Sequence, residues 1–111
     1  NIMEIICFHN PDEENGYLSN WYESKFIVDH VKFSSMEQFM VYEGLIAKFS
    51  QNEELKKQLK GTKTAILAEC AVKDRIWGIG LSMKDLKRFD ITQWRGQNLL
   101  GYALMEVRKR L

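Results

Sequence analysis

Carboxylates and aromatic rings, rather than metal ligands or activated nucleophiles, supply the chemistry open to this chain. Its two histidines, His9 and His30, are too few for a multi-histidine metal centre, although either suffices as a lone acid or base. No Walker loop, dinucleotide fingerprint, nucleophile elbow, HExxH or CxxC pattern occurs, and Gly78-Ile79-Gly80 is only a fragment of a glycine-rich loop. Glu37 stands at the start of an amphipathic stretch. Free amides at a helix start hold a carboxylate ionised, whereas shielding by Trp21, Phe39 or Trp77 raises its pKa and suits it to acid work. It is equally a member of a capping box opened by Ser34. Asp74, before Arg75 and the Trp77-Gly78 turn, suits hydrogen bonding to ribose hydroxyls or orienting a water; pairing with Arg75 or capping the turn fits it as well. Trp77, Trp94 and Tyr22 can stack on a base or fill a core, and Lys73 and Arg95 can meet phosphate. Asn20 and Asn98 serve either as amide contacts to a ligand or as local caps.

The elements that must position these groups follow from periodicity. Residues 2–8 form an apolar run interrupted by Glu4, which predicts a strand buried on both faces. An exposed loop follows over 10–16, and Asp29-His30, flanked by Phe26-Ile27-Val28 and Val31-Lys32-Phe33, predicts a hairpin that makes His30 a turn residue. Ser34 and Ser35 open a helix read through 36–49 with Gly44 inside it, at a cost of about 1 kcal/mol relative to alanine. Glu53 to Lys60, with early acids, late lysines and a terminal Gly61, predicts a second helix. Residues 64–71 are ambiguous between helix and strand and are read as a strand. Asn98 then caps a final helix whose Leu99, Leu100, Ala103, Leu104, Val107 and Leu111 form one apolar stripe.

With 111 residues, 45% of them hydrophobic and a single proline, the chain has the composition of one globular domain over 1–111 and excludes a barrel or two-domain enzyme. The fold class expected is α+β, mostly helical with a small sheet. Cys7 and Cys70 suit reduced core thiols of a cytoplasmic protein, and no apolar run reaches the length of a membrane span. The net charge of +1 hides an asymmetry: residues 1–71 carry seven Lys/Arg against eleven Asp/Glu, and residues 72–111 carry nine against four. Such a basic end either steers an anionic substrate or is an ordinary solvated face.

Five blocks run in order along the chain. They are Gly16-x-Leu18-Ser19-Asn20; Phe33-x-Ser35-Met36-Glu37-Gln38; Ala47-Lys48-Phe49-x-Gln51-Asn52; Asp74-x-x-Trp77-Gly78-x-Gly80; and Gly96-Gln97-Asn98-x-Leu100-Gly101 with Leu104-Met105-Glu106-Val107-Arg108 after it. Together they resemble the NADAR, or YbiA-like, family. The resemblance implies hydrolysis of the carbon–nitrogen glycosidic bond of a ribose-phosphate or ADP-ribose-type compound, either a riboflavin-pathway intermediate or ADP-ribosylated guanine in nucleic acid. It matches Glu37, Asp74, Trp77-Gly78, Asn98 and Asn20 to the family's blocks, which implies catalytic roles for Glu37 and Asp74; with Trp21, Lys73, Trp94 and Arg95, read from their residue types, Asn20, Trp77, Gly78 and Asn98 are the substrate contacts expected. A carboxylate stabilises the developing oxocarbenium while an acid assists the leaving nitrogen, chemistry that calls for no metal or other cofactor.

One departure from the family pattern stands out. A helical segment usual between the blocks around Phe39-Met40 and Val41-Tyr42 is absent, so either residues are omitted between 40 and 41 or the protein is shortened. Two rival readings remain at this point. A non-catalytic nucleotide or ADP-ribose binding module is favoured by a Glu37 committed to its cap. A structural interaction protein predicts no concave site joining Glu37, Asp74 and Trp77.

Overall fold

A computed structural model of the chain describes residues 3–19 and 37–111, with side chains from residue 40 onward in the second segment. The expected hairpin with His30, together with Asn20, Trp21 and the side chain of Glu37, lies outside the described residues. Strands β1 (Ile5–Phe8) and β2 (Ile66–Glu69) pair in parallel, in a register running from Ile5↔Ile66 to Phe8↔Glu69. A parallel pair requires a crossover, and α1 (Glu37–Ser50) and α2 (Glu53–Gly61) lie within it. Helix α3 (Leu99–Arg110) ends the fold. The α+β expectation holds: three helices and a small sheet among the described residues.

The period of two in a strand divides the core. Phe8 and Leu67 enter a main cluster with Leu18, Leu45, Phe49, Leu55, Leu59, Leu100, Leu104 and Val107. Cys7 and Ala68, register partners, enter a second cluster with Cys70, Ile79 and Leu81. Each fully buried Leu or Phe contributes roughly 1.5–3 kcal/mol, so the larger cluster dominates stability. In β1 only Cys7 and Phe8 are fully buried while Ile5 and Ile6 stay half-buried, so the expectation of burial on both faces holds for its second half. Residues 64–71 do supply a strand, shortened to Ile66–Glu69. Helix α1 runs through the Met40-Val41 junction without a break, Gly44 included.

Helix α3 buries Leu100, Leu104 and Val107 of the expected stripe. Its start departs from expectation. Asn98 occupies the N-cap position with φ 55°, but its side chain makes no cap. Instead Oδ1 accepts from the Glu69 amide at 2.9 Å and Nδ2 donates to the Leu67 carbonyl at 2.8 Å, which clasps the helix to β2. Gly101, one turn further, lies so close to β2 that a Cβ would strike the Leu67 carbonyl oxygen. Among the described residues no helix is long and apolar enough to cross a membrane.

Candidate functional site

Because the strands are parallel, both end at the same edge of the sheet, the edge at which open α/β sheets bind ligands. His9 follows β1 there, and Glu69 is the last residue of β2. Beyond Glu69 the chain loops through 70–78 and is pinned on return, as the Ile79 amide donates to Glu69 O at 2.8 Å and the Gly80 amide to Ala71 O at 3.1 Å. The loop and His9 enclose an open cleft of about 770 Å³, lined by His9 and residues 71–76.

Of the residues expected at the site, Lys73 and Asp74 line this cleft together. Asp74 Oδ1 accepts from the amides of Ile76 at 3.0 Å and Trp77 at 2.8 Å, so among the alternatives left by the sequence it is the turn cap. Both bonds fall on one oxygen, and the turn does not commit the other. Trp77 is half-buried and packs on the main cluster, while its carbonyl accepts from the Leu100 amide at 3.1 Å. Gly78 is buried: a Cβ there would lie 2.8 Å from Ala71 Cβ and 2.9 Å from Asp74 O, so its bareness lets the returning chain close the loop.

Three expected contacts are placed elsewhere. Trp94 packs on the second cluster and its indole N–H donates to the Arg88 carbonyl at 2.9 Å. Arg95 is exposed beside Gly80, outside the cleft lining. Asn98 is fully buried with both ends of its amide bonded to β2, outside the cleft lining. No group of three or more His, Cys, Asp or Glu side chains gathers to hold a metal among the described residues.

The residue that the sequence reading missed is Glu69. Its side chain is 10% exposed, and its Oε2 lies 3.6 Å from His9 Nδ1. Neither atom touches solvent or has a hydrogen-bond partner among the described residues. Burial, reinforced by the nearby Asp74 and Glu13 carboxylates against one favourable amide bond from Cys70, pushes the Glu69 carboxyl up to about 8. It therefore carries a proton at neutral pH. A charged residue inside the apolar run 65–71 was the available signal, since Glu is almost never buried without a reason. A second buried charge, Lys48, donates to the Tyr17 carbonyl at 2.9 Å and the Ser19 carbonyl at 3.1 Å, tying the short 3-10 turn Gly16–Leu18 to α1.

Comparison with known proteins bears on this arrangement. A model of the NADAR domain matches residues 32–111, a span that includes α1, β2, the cleft loop and α3. The chain belongs to the NADAR domain family. N-glycosidase R617 of Acanthamoeba polyphaga mimivirus is 41% identical over 70 residues, covering 63% of this chain and 41% of that protein. Protein irg-1 of Caenorhabditis elegans is 39% identical over 71% of this chain and 37% of its own length. N-glycosidase YbiA of Escherichia coli (strain K12) is 34% identical over 71% of this chain and 42% of its own length. The chain thus spans about two-fifths of the length of the curated relatives it matches. The NMR structure of the E. coli protein YbiA superposes with a TM-score of 0.73 at 24% identity, covering 96% of this chain and 84% of that one, which establishes a shared fold.

Proposed function

We propose that this NADAR chain hydrolyses the carbon–nitrogen glycosidic bond of a ribose-phosphate or ADP-ribose-type compound, either a riboflavin-pathway intermediate or ADP-ribosylated guanine in nucleic acid. The observation that carries the reading is the cleft at the strand ends, where Asp74 and Lys73 stand side by side. Breaking such a bond leaves positive charge on the ribosyl carbon and ring oxygen, which a carboxylate within a few ångströms stabilises. The uncommitted oxygen of Asp74 orients a ribose hydroxyl or the attacking water, and Lys73 neutralises phosphate. Glu37 opens α1 and supplies acid, base or electrostatic help. Asn20, Trp21 and Trp77 are further proposed substrate contacts. Two buried, free cysteines, Cys7 and Cys70, support a reducing cytoplasmic setting.

The test is direct incubation of the chain with early riboflavin-pathway intermediates, followed by release of ribose 5-phosphate, and with a guanine-ADP-ribosylated oligonucleotide, followed by release of ADP-ribose. Turnover of one of them is expected, with Asp74→Asn and Glu37→Gln each lowering it about 100-fold or more. No release from either overturns the reading. The commitment of Asp74 Oδ1 to two amides favours a second reading, a non-catalytic binding module. That module predicts ligand binding by the parent without turnover and loss of binding in Glu37→Gln, whereas the glycosidase predicts lost turnover with binding retained.

A further inference from the structure

The edge of the sheet holds an acid pair that the five sequence blocks do not contain. Phe8 and Glu69 are the last pair of the register, and His9, the residue after β1, brings its imidazole to within 3.6 Å of the Glu69 carboxyl where both strands end. The main chain of Glu69 is fixed on both sides, its amide donating to Asn98 Oδ1 at 2.9 Å and its carbonyl accepting from the Ile79 amide at 2.8 Å, so the side chain springs from a rigid root. The imidazole is 37% exposed and lines the cleft, whereas the carboxyl stands behind it at 10%. Nδ1 and Oε2 lie 3.6 Å apart, both shielded from water and neither hydrogen-bonded among the described residues. Two unmet buried polar atoms cost about 1–3 kcal/mol each, so a small closure into a hydrogen bond is downhill. Hydrogen bonds of this kind commonly tighten only when substrate arrives.

We propose that His9 and Glu69 form the proton donor of the reaction, with His9 as the catalytic acid facing the cleft and Glu69 as the positioning residue that holds and resupplies its proton. The inference rests on the glycosidase reading above, because it assigns the acid that a departing nitrogen needs. As the bond between ribosyl carbon and nitrogen breaks, its electron pair goes to nitrogen, which takes the proton from His9 Nε2. Nδ1 takes the proton of the Glu69 carboxyl, leaving a carboxylate. Water then adds to the ribosyl carbon, and the proton it sheds restores the pair. The groups facing Glu69 among the described residues suit this role: Asp74 from the cleft loop and Glu13 from the loop after β1 both oppose its ionisation, against an amide bond from Cys70 that favours it. Between turnovers the proton stays on the pair.

The test compares two leaving groups. Parent, His9→Gln and Glu69→Gln are assayed on the N-ribosyl substrate turned over above and on the 5-phosphate of p-nitrophenyl riboside, whose leaving group departs as an anion without a proton. Loss of about 100-fold on the nitrogen-linked substrate, with little change on the nitrophenyl one, is expected for both variants. The parent's turnover on the nitrogen-linked substrate also falls as pH rises through about 8, and Glu69→Gln loses that limb. Variants as active as the parent on the nitrogen-linked substrate overturn the acid pair and leave the glycosidase reading standing. A parent that cleaves neither substrate overturns that reading and this inference with it. Nitrogen-15 NMR of the His9 ring checks the pairing without turnover: Glu69→Gln shifts its tautomer balance, and an unchanged ring spectrum overturns the pair.

Discussion

Lys48 and Glu69 are buried almost equally, at 4% and 7% exposure, yet their surroundings treat them in opposite ways. The Lys48 ammonium is met by two main-chain carbonyls and lies 5.0 Å from the centre of the Phe49 ring. Glu69 faces Asp74 and Glu13, charges of its own sign, and its Oε2 has no hydrogen-bond partner among the described residues. Burial pulls the amine down to about 8 and pushes the carboxyl up to about 8. A buried charge whose bonds are met fixes one segment to another. A buried acid whose bond is unmet keeps a transferable proton, which is the mark of a working group.

Three substitutions break or sharpen this contrast. Asn98→Ala has the largest expected effect, because it strips the clasp from both Leu67 O and the Glu69 amide in a fully buried position. A loss of roughly 3–5 kcal/mol is expected in urea unfolding, from two orphaned main-chain groups and a hole in the core. A change below about 1 kcal/mol would mean that the clasp holds nothing. Lys48→Met comes next: the carbonyls of Tyr17 and Ser19 lose a shared donor, and about 2–4 kcal/mol of stability goes with it above pH 10.5, where the amine's contribution is fully present. A melt unchanged from the parent's would remove Lys48 from the structural side of the comparison.

Glu69→Gln acts in the other direction and with a smaller size. The folded carboxyl titrates near 8 instead of near 4.5, so its contribution to stability is fully present below 4.5 and lost as pH rises through 8. The glutamine variant removes that loss and gains roughly 1–3 kcal/mol over the parent at pH 9. Lys48, lowered from 10.5 to about 8, has the reverse sign: its contribution is present above 10.5 and lost as pH falls through 8. The two together predict a dip in the parent's thermal stability near pH 8. Melts at pH 5, 8 and 10 read it, with Glu69→Gln flattening the acid side and Lys48→Met the alkaline side.

Local chemistry made much of the scaffold legible. The acids and lysines of α2 and the leucine stripe of α3 are periodic signals within one helix, and both helices stand close to where that periodicity puts them. The run 64–71 was ambiguous because its alanines favour helix; pairing with β1 decided the matter, and Ala68 sits fully buried opposite Cys7. Asn98 reads as a cap because local sequence says nothing of a strand that reaches the helix from a distance. Glu69 was legible only as an acid inside an apolar run, and its surroundings were hidden for the same reason. Nothing near it in sequence tells that His9 and Asp74 surround it, since parallel pairing alone brings the first of these to its side. Asp74 shows the converse, a residue whose two bonds are to its own turn and whose cap was one of the readings its neighbours allowed.

The parallel pairing also dictates an order of events during folding. The partners of the sheet are divided by the whole of segment 9–65, and a loop of that length closes late and slowly, its entropy lost before any ladder bond repays it. Helices α1 and α2, held by local contacts, can nucleate before it. His9 and Glu69 come together only when β2 docks on β1, so the acid pair is absent from every partly folded form in which the two strands have yet to meet.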